Sequence, residues 1–89
     1  MITVIKYYAD WCTPCKAMEP TWAKAQVEFK DIVVFQNIDI DNNPQQTKDA
    51  NVRTIPTIVA YEEGKELGRH NSLTYPELEE WLNGLSGNI

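Results

Sequence analysis

Two cysteines three positions apart lie in the segment Trp11-Cys12-Thr13-Pro14-Cys15-Lys16. The residues before it, Ile2 to Ala9, are largely apolar or β-branched apart from Lys6 and predict a strand covered on both faces. The residues after it predict a helix from about Cys12 to Lys30, because apolar side chains recur there at roughly helical spacing. These side chains are Ala17, Met18, Trp22, Ala25 and Phe29. The two cysteines therefore stand where a buried strand passes into a helix.

The start of this helix favours a reactive thiolate. Backbone amides at a helix N-terminus carry partial positive charge and stabilise an anion. A free thiol with a pKa of about 8.5 is only slightly ionised at neutral pH, and lowering that pKa by ~1.5 units needs about 2 kcal/mol of preferential anion stabilisation. We therefore predict that Cys12, the more N-terminal and exposed cysteine, attacks a disulfide. Cys15, one turn inward, then resolves the mixed disulfide.

Two structural roles for the cysteine pair agree less well with the sequence. A structural disulfide would close a loop too short to constrain much of the unfolded chain, since that benefit grows with loop length. A structural zinc site needs four ligands, and the chain offers Cys12, Cys15 and its single histidine, His70, unless two chains share the metal. Thiol–disulfide exchange explains the pair better than either role.

The rest of the chain predicts alternating strands and helices. A capping box of Thr74 and Glu77 opens the last helix, and Gly84 is its predicted stop. The other predicted elements are a strand from Ile32 to Ile40, a short helix capped by Asn43 and ending near Asn51, and a hairpin of strands from Thr57 to Tyr61 and from Glu66 to Asn71. The order β-α-β-α-β-β-α predicts one α/β domain over residues 1–89, with a four-stranded mixed sheet and helices on both faces.

Composition excludes several classes of protein. The chain has 89 residues, 43% hydrophobic and 24% charged, which is ordinary for a folded domain and argues against disorder. No apolar run approaches the ~20 residues of a membrane helix, and a net charge of −5 argues against nucleic acid as a partner. Two cysteines are too few for a disulfide-stapled secreted framework, and no basic leader precedes an apolar stretch. We therefore expect a cytoplasmic monomer.

The segment from Tyr7 to Lys16 resembles the active-site segment of the thioredoxin family. Pro20 matches that family's proline in the helix after the cysteines, and residues 39–44 and 52–57 resemble its later turn and its cis-proline segment. The spacing between these blocks matches without gaps over nearly the whole chain. The resemblance implies a truncated thioredoxin fold that is about the size of a glutaredoxin and lacks the first strand and helix of a full-length thioredoxin.

The resemblance also implies a site and an activity. Pro56 would be cis beside the disulfide, and Ile55 would present backbone groups to an extended substrate. The expected docking groove is formed by Trp11, Thr13, Pro14, Thr54, Ile55, Pro56 and Ser72, the last of these within the turn Asn71-Ser72-Leu73. The implied activity is reduction of protein disulfides by Cys12 and Cys15, with electrons from thioredoxin reductase or glutathione. Their disulfide would be the only redox group, without a metal or organic cofactor.

Two positions depart from the family pattern. Lys6 stands where thioredoxins usually place a buried aspartate behind the disulfide, and Asn37 stands at their usual buried lysine. Burial would lower the pKa of Lys6, which would then either stabilise a thiolate as a cation or accept the Cys15 proton as an amine. Alternatively, Lys6 reaches solvent or pairs with Asp39 or Glu19 and has no catalytic part.

Other functions stay open from the sequence. A glutaredoxin-type enzyme reduced by glutathione fits the size of the chain, although Trp11 and the Thr13-Pro14 pair argue against it. A disulfide oxidase or isomerase would use the same cysteines. A non-catalytic binding module would use the groove alone.

Overall fold

The computed structural model describes residues 1–87. Within this range the elements follow the predicted order β-α-β-α-β-β-α. They are β1 (Ile2–Tyr8), α1 (Thr13–Glu28), β2 (Val33–Asp39), α2 (Pro44–Asp49), β3 (Thr57–Glu62), β4 (Lys65–His70) and α3 (Tyr75–Ser86). None of these helices is long and apolar enough to cross a membrane.

The first strand lies inside a four-stranded sheet of order β2-β1-β3-β4. It runs parallel to β2 and antiparallel to β3, and β3 pairs antiparallel with β4. The predicted mixed sheet is therefore confirmed. In this register Lys6 stands between Asn37 of β2 and Ile58 of β3, so a lysine occupies the middle of the sheet.

Side chains of β1 alternate between two cores, as successive residues of a strand must. Ile2 and Val4 belong to the larger core, which they share with buried side chains of α1 and α3. Ile5 and Tyr7 belong to a smaller core on the opposite face, closed by half-buried residues of β2 and of the segment after α2. Helices α1 and α3 therefore cover one face, and the C-terminal end of α2 with the segment after it packs on the other. By the same alternation Lys6 points toward α1.

Helix α1 differs from the prediction at its end and on one face. It ends at Glu28 rather than Lys30, because the Phe29 carbonyl accepts the amide N–H groups of Ile32 and Val33 and turns the chain into β2. Ala17 is exposed, so its prediction as a core residue was wrong. The buried residues of α1 form a stripe through Met18 and Trp22, and a residue one position away lies about 100° around the helix from that stripe.

The structure differs from the sequence prediction at the N-terminus of α2 and at the C-terminus of α3. Asn43 is the N-cap residue of α2, but its side chain makes no capping hydrogen bond and donates instead to the Asp39 carbonyl. Helix α3 continues through Gly84, the predicted stop, and ends before Gly87, which has a φ of 76°. The two additional residues let Leu85 pack against the larger core, which offsets the cost of a glycine inside the helix.

The capping box of α3 is confirmed and supports a prediction about stability. The Thr74 hydroxyl accepts the Glu77 amide N–H, and the Glu77 carboxylate accepts the Thr74 amide N–H at 2.8 Å. Thr74→Ala is expected to lower the free energy of unfolding by about 1 kcal/mol because the first turn loses its cap. For a domain of this size that change lowers Tm by about 4–8 °C in calorimetry. Ser72→Ala, which removes a hydroxyl just before the cap, is the control, and equal Tm values for the two variants would contradict the prediction.

Candidate active site

The two cysteines form a disulfide at the N-terminus of α1. Cys12 is the N-cap residue, with extended backbone dihedrals, and Cys15 lies in the first turn with its Cα 5.2 Å from that of Cys12. The Cys15 amide N–H donates to the Cys12 sulfur at 3.2 Å. In the reduced protein, this hydrogen bond and the helix N-terminus would both stabilise a thiolate on Cys12.

Cys12 is more buried than the sequence suggested. The prediction that it is the exposed cysteine was wrong, since Cys12 is 4% exposed and Cys15 is 3% exposed. The Cys12 amide N–H donates to the Ala9 carbonyl, and this turn draws the cysteine back against the end of β1. Ile55, from the loop before β3, also packs against the pair. A substrate therefore reaches the sulfur atoms only from the surrounding rim.

The loop before β3 faces this disulfide. The Ile55–Pro56 peptide bond is cis, as the family resemblance predicted, and Pro56 is buried. The Ile55 carbonyl oxygen lies 3.8 Å from the Cys12 sulfur. Thr54 is exposed and Ile55 is half-buried, so the backbone just before Pro56 borders the disulfide and is open to a docking chain.

Trp11 directly precedes Cys12 and is held by a hydrogen bond. Its side chain is 65% exposed, and its indole Nε1–H donates to the Asp41 carboxylate at 2.8 Å. The bond fixes the indole beside Cys12, so this exposed aromatic is held in place by a loop residue 30 positions away. The role of Asp41 was missed because only the fold brings the turn after β2 next to Trp11.

The other predicted groove residues lie at or next to the start of α1. Thr13 and Pro14 are exposed at the start of α1. Ser72 lines a shallow groove of about 380 Å³ together with Pro14 and does not line the cleft that contains Thr54. The structure thus places Ser72 in a groove with the start of α1.

Asn71, the residue before Ser72, contacts the cis-proline loop. The side-chain amide of Asn71 lies within hydrogen-bond distance of the Thr54 hydroxyl at 3.0 Å, the Pro56 carbonyl at 3.2 Å and the Thr57 hydroxyl at 3.2 Å. Asn71 therefore ties the end of β4 to both sides of Pro56. The family resemblance placed the turn that contains Asn71 at the groove, but these contacts themselves were not predicted, since the partners are 14 to 17 positions away.

Lys6 lies behind the disulfide and is 5% exposed. Its Nζ is 5.3 Å from the ring centroid of Trp22 and 5.6 Å from that of Tyr8, so two aromatic faces surround the cation. Burial lowers the pKa of Lys6, and the negative charge of Glu19 partly opposes this shift. Within residues 1–87 Lys6 forms no ion pair with Asp39 or Glu19, and the alternative of a side chain that reaches bulk solvent was wrong.

A cleft of about 480 Å³ connects Lys6 with one of the cysteines. Its lining includes Lys6, Cys15, Glu19 and Asn37 but not Cys12. Asn37, which stands where the family usually has a buried lysine, is exposed. Lys6 therefore shares this cleft with Cys15 and not with Cys12.

A Cys-X-X-Cys disulfide at a helix N-terminus, facing a cis-proline on a mixed α/β sheet, defines a dithiol–disulfide domain. Comparison with known proteins agrees with this class and identifies the family within it. The family model described as thioredoxin matches residues 1–83, so the chain belongs to the thioredoxin family.

Two relatives allow the length of the chain to be compared with that of other thioredoxins. It is 38% identical over 81 residues to thioredoxin C-3 of Corynebacterium nephridii, covering 90% of this chain and 55% of that protein. It is 36% identical over 84 residues to thioredoxin H2-1 of Oryza sativa subsp. japonica, covering 94% and 60%. The chain thus spans a little over half the length of these two relatives.

A solved structure shows that the fold is shared. The crystal structure of the germline-specific thioredoxin Deadhead from Drosophila melanogaster superimposes with a TM-score of 0.89 at 28% identity. The match covers 94% of this chain and 80% of that protein. The predicted thioredoxin fold is therefore confirmed.

Proposed function

We propose that the protein is a thiol–disulfide oxidoreductase that reduces disulfides in other proteins through Cys12 and Cys15. The observation that carries this proposal is the position of the Cys12 sulfur. It accepts the Cys15 amide N–H at 3.2 Å and lies 3.8 Å from the Ile55 carbonyl oxygen. One sulfur atom thus meets both a group that stabilises its thiolate and a backbone segment on which a substrate can dock.

The proposed reaction is two successive exchanges. The Cys12 thiolate attacks one sulfur of the substrate disulfide, a mixed disulfide forms, and the other substrate sulfur leaves as a thiolate that takes up a proton. Cys15 then loses its proton, and its thiolate attacks the Cys12 sulfur. The Cys12–Cys15 disulfide forms and the second substrate sulfur is released and protonated. The substrate gains two electrons and two protons, and the protein dithiol loses them.

An electron donor must then return the protein to its dithiol form. We propose thioredoxin reductase for this role, with glutathione as the alternative donor. The dithiol–disulfide pair is itself the redox group, so this proposal needs no bound cofactor.

Lys6 would assist the second exchange. It shares a cleft with Cys15, and its Nζ lies 5.6 Å from the Tyr8 ring centroid and 5.3 Å from the Trp22 ring centroid. As an ammonium it would stabilise the Cys15 thiolate, and as an amine it would accept the Cys15 proton. Either role would replace that of the aspartate usual in the family.

Insulin reduction with two alternative donor systems tests the function. The purified protein is mixed with insulin, NADPH and either thioredoxin reductase or glutathione with glutathione reductase, and NADPH consumption is followed. Turnover is expected with thioredoxin reductase. Turnover with glutathione alone would instead make the protein a glutaredoxin-type enzyme.

A third mixture supplies the control. Dithiothreitol replaces both donor systems and separates a missing donor from a missing activity. No acceleration of insulin reduction in any of the three mixtures would contradict the proposed activity and favour a non-catalytic binding module.

A further inference from the structure

A second cleft, of about 420 Å³, borders the cis-proline loop. It is lined by Arg53 and Thr54 from the loop and by Arg69, His70 and Asn71 from the end of β4. Among residues 1–87 no carboxylate lines it. The chain has a net charge of −5, so a basic cleft next to the cis-proline loop is opposite in sign to the protein as a whole.

The two arginines of this cleft differ in what they already bind. Arg69 donates to the Glu66 carboxylate at 2.7 and 2.8 Å and to the carbonyl oxygens of Ala50 and Asn51 at 2.9 and 3.3 Å. Its guanidinium is therefore occupied in holding the end of α2. Arg53 is exposed and uses only its Nε, which donates to the Asn51 side-chain oxygen at 3.3 Å, within the described residues. The two terminal nitrogens of Arg53 are left to bind an outside acceptor.

The cleft lies within reach of the exchange reaction. Thr54 forms its wall and is followed directly by Ile55, whose carbonyl oxygen lies 3.8 Å from the Cys12 sulfur. Asn71 fixes this wall through its contacts with Thr54 and Pro56. An extended chain advances about 3.3 Å per residue. A substrate docked along Ile55 would thus place in the cleft a side chain about one to three residues from its cysteine.

We propose that this cleft is a substrate subsite for a carboxylate side chain, and that Arg53 determines its specificity. The acceptor is an aspartate or glutamate about one to three residues from the cysteine under attack. A guanidinium with free N–H groups binds a carboxylate through paired, charge-assisted hydrogen bonds. The inference rests on the proposed function, since it concerns how substrates of that reaction are chosen.

Peptide disulfides of defined sequence test the subsite. The substrates are disulfide-linked dimers of a nine-residue peptide with a central cysteine and one variable position, filled by Glu, Gln or Lys at one, two or three residues on either side. The second-order rate constant of reduction by the dithiol protein is measured in single turnover at low salt. Because of its net charge the protein repels acidic peptides in general. A faster reaction with Glu than with Gln therefore identifies a local site.

The expected result is a preference of about threefold for Glu over Gln in at least one register, as for an exposed ion pair. The preference falls toward one at high salt. Arg53→Gln abolishes it, and Arg53→Glu reverses it in favour of Lys. Lys30→Gln removes the same charge from an exposed position outside the cleft and retains the preference.

Two outcomes overturn the inference. One is equal rates for Glu and Gln peptides in every register, and the other is a preference that Lys30→Gln reduces as much as Arg53→Gln does. Reduction of the neutral hydroxyethyl disulfide separates this failure from that of the proposed function. If that compound is reduced and the peptides show no preference, only the subsite fails. If neither it nor any peptide is reduced, the proposed function fails and the subsite with it.

Discussion

Replacing Cys12 with serine is expected to reduce insulin reduction at least about a thousandfold, because a serine hydroxyl does not ionise at neutral pH and cannot replace a thiolate nucleophile. The Cys15 amide N–H and the α1 N-terminus would still point at this position. The amide and the helix N-terminus then have no thiolate to stabilise.

The effect of Cys15→Ser is expected to be different in kind. Cys12 would still attack a substrate disulfide, but no second thiol would resolve the product. The protein is expected to accumulate as a mixed disulfide with about one substrate equivalent, since resolution then depends on an outside thiol. Catalytic turnover would fall as far as in Cys12→Ser, while the first exchange would remain fast.

Mass spectrometry after mixing each reduced variant with a peptide disulfide distinguishes the two roles. A substrate adduct on Cys15→Ser and none on Cys12→Ser is the expected result. Adducts of equal yield on both variants would contradict the assignment of Cys12 as the sole attacking group. An unchanged Tm of each variant, relative to the reduced protein, shows that the variant is folded.

The sequence was most informative where function and fold depend on neighbouring residues. The strand before Cys12, the helix after it and the capping box at Thr74 follow from local pattern, and the structure contains all three. The cis peptide bond before Pro56 did not follow from local pattern, because most X-Pro bonds are trans, and it came from the family resemblance.

Features that depend on residues distant in sequence could not be predicted. The burial of Cys12 results partly from Ile55, 43 positions away, and Asp41 orients Trp11 from another loop. Gly84 illustrates a competition between local and tertiary effects. Its low helix propensity predicted a stop, but the packing of Leu85 extends the helix beyond it.

Lys6→Met is expected to raise the free energy of unfolding of the disulfide form by about 1–2 kcal/mol at neutral pH. A buried cation without an ion pair is costly, and the two aromatic rings near Nζ compensate only part of the cost. Methionine is similarly long and unbranched, so it fills the same space without a charge.

The stability gained by Lys6→Met is expected to decrease as the pH rises. Burial lowers the pKa of Lys6 in the folded state below its usual value of 10.5, so the unfolded chain binds more protons between these two values. The stability of the parent protein therefore gains a contribution as pH rises through that window. The advantage of Lys6→Met is expected to be full below the folded-state pKa and to shrink as the pH approaches 10.5.

Urea unfolding of the oxidised proteins at several pH values between 6 and 10 measures this difference. Lys16→Met is the matched control, since Lys16 lines the same cleft but is exposed, and its effect should stay within about 0.5 kcal/mol. A lower stability of Lys6→Met at every pH would show that its surroundings favour the ammonium, contrary to the argument from burial.

The rate of the second exchange tests whether a lysine that lowers stability has a role in the reaction. If Lys6 acts on Cys15, Lys6→Met should change the pH profile of the step in which Cys15 displaces the substrate from Cys12. Loss of a cation would move the rise of that rate to higher pH, because the Cys15 thiol would ionise less readily. Loss of a base would lower the rate where Lys6 is neutral in the parent protein. If Lys6→Met raises the free energy of unfolding and leaves this pH profile unchanged, Lys6 lowers stability and takes no part in the exchange.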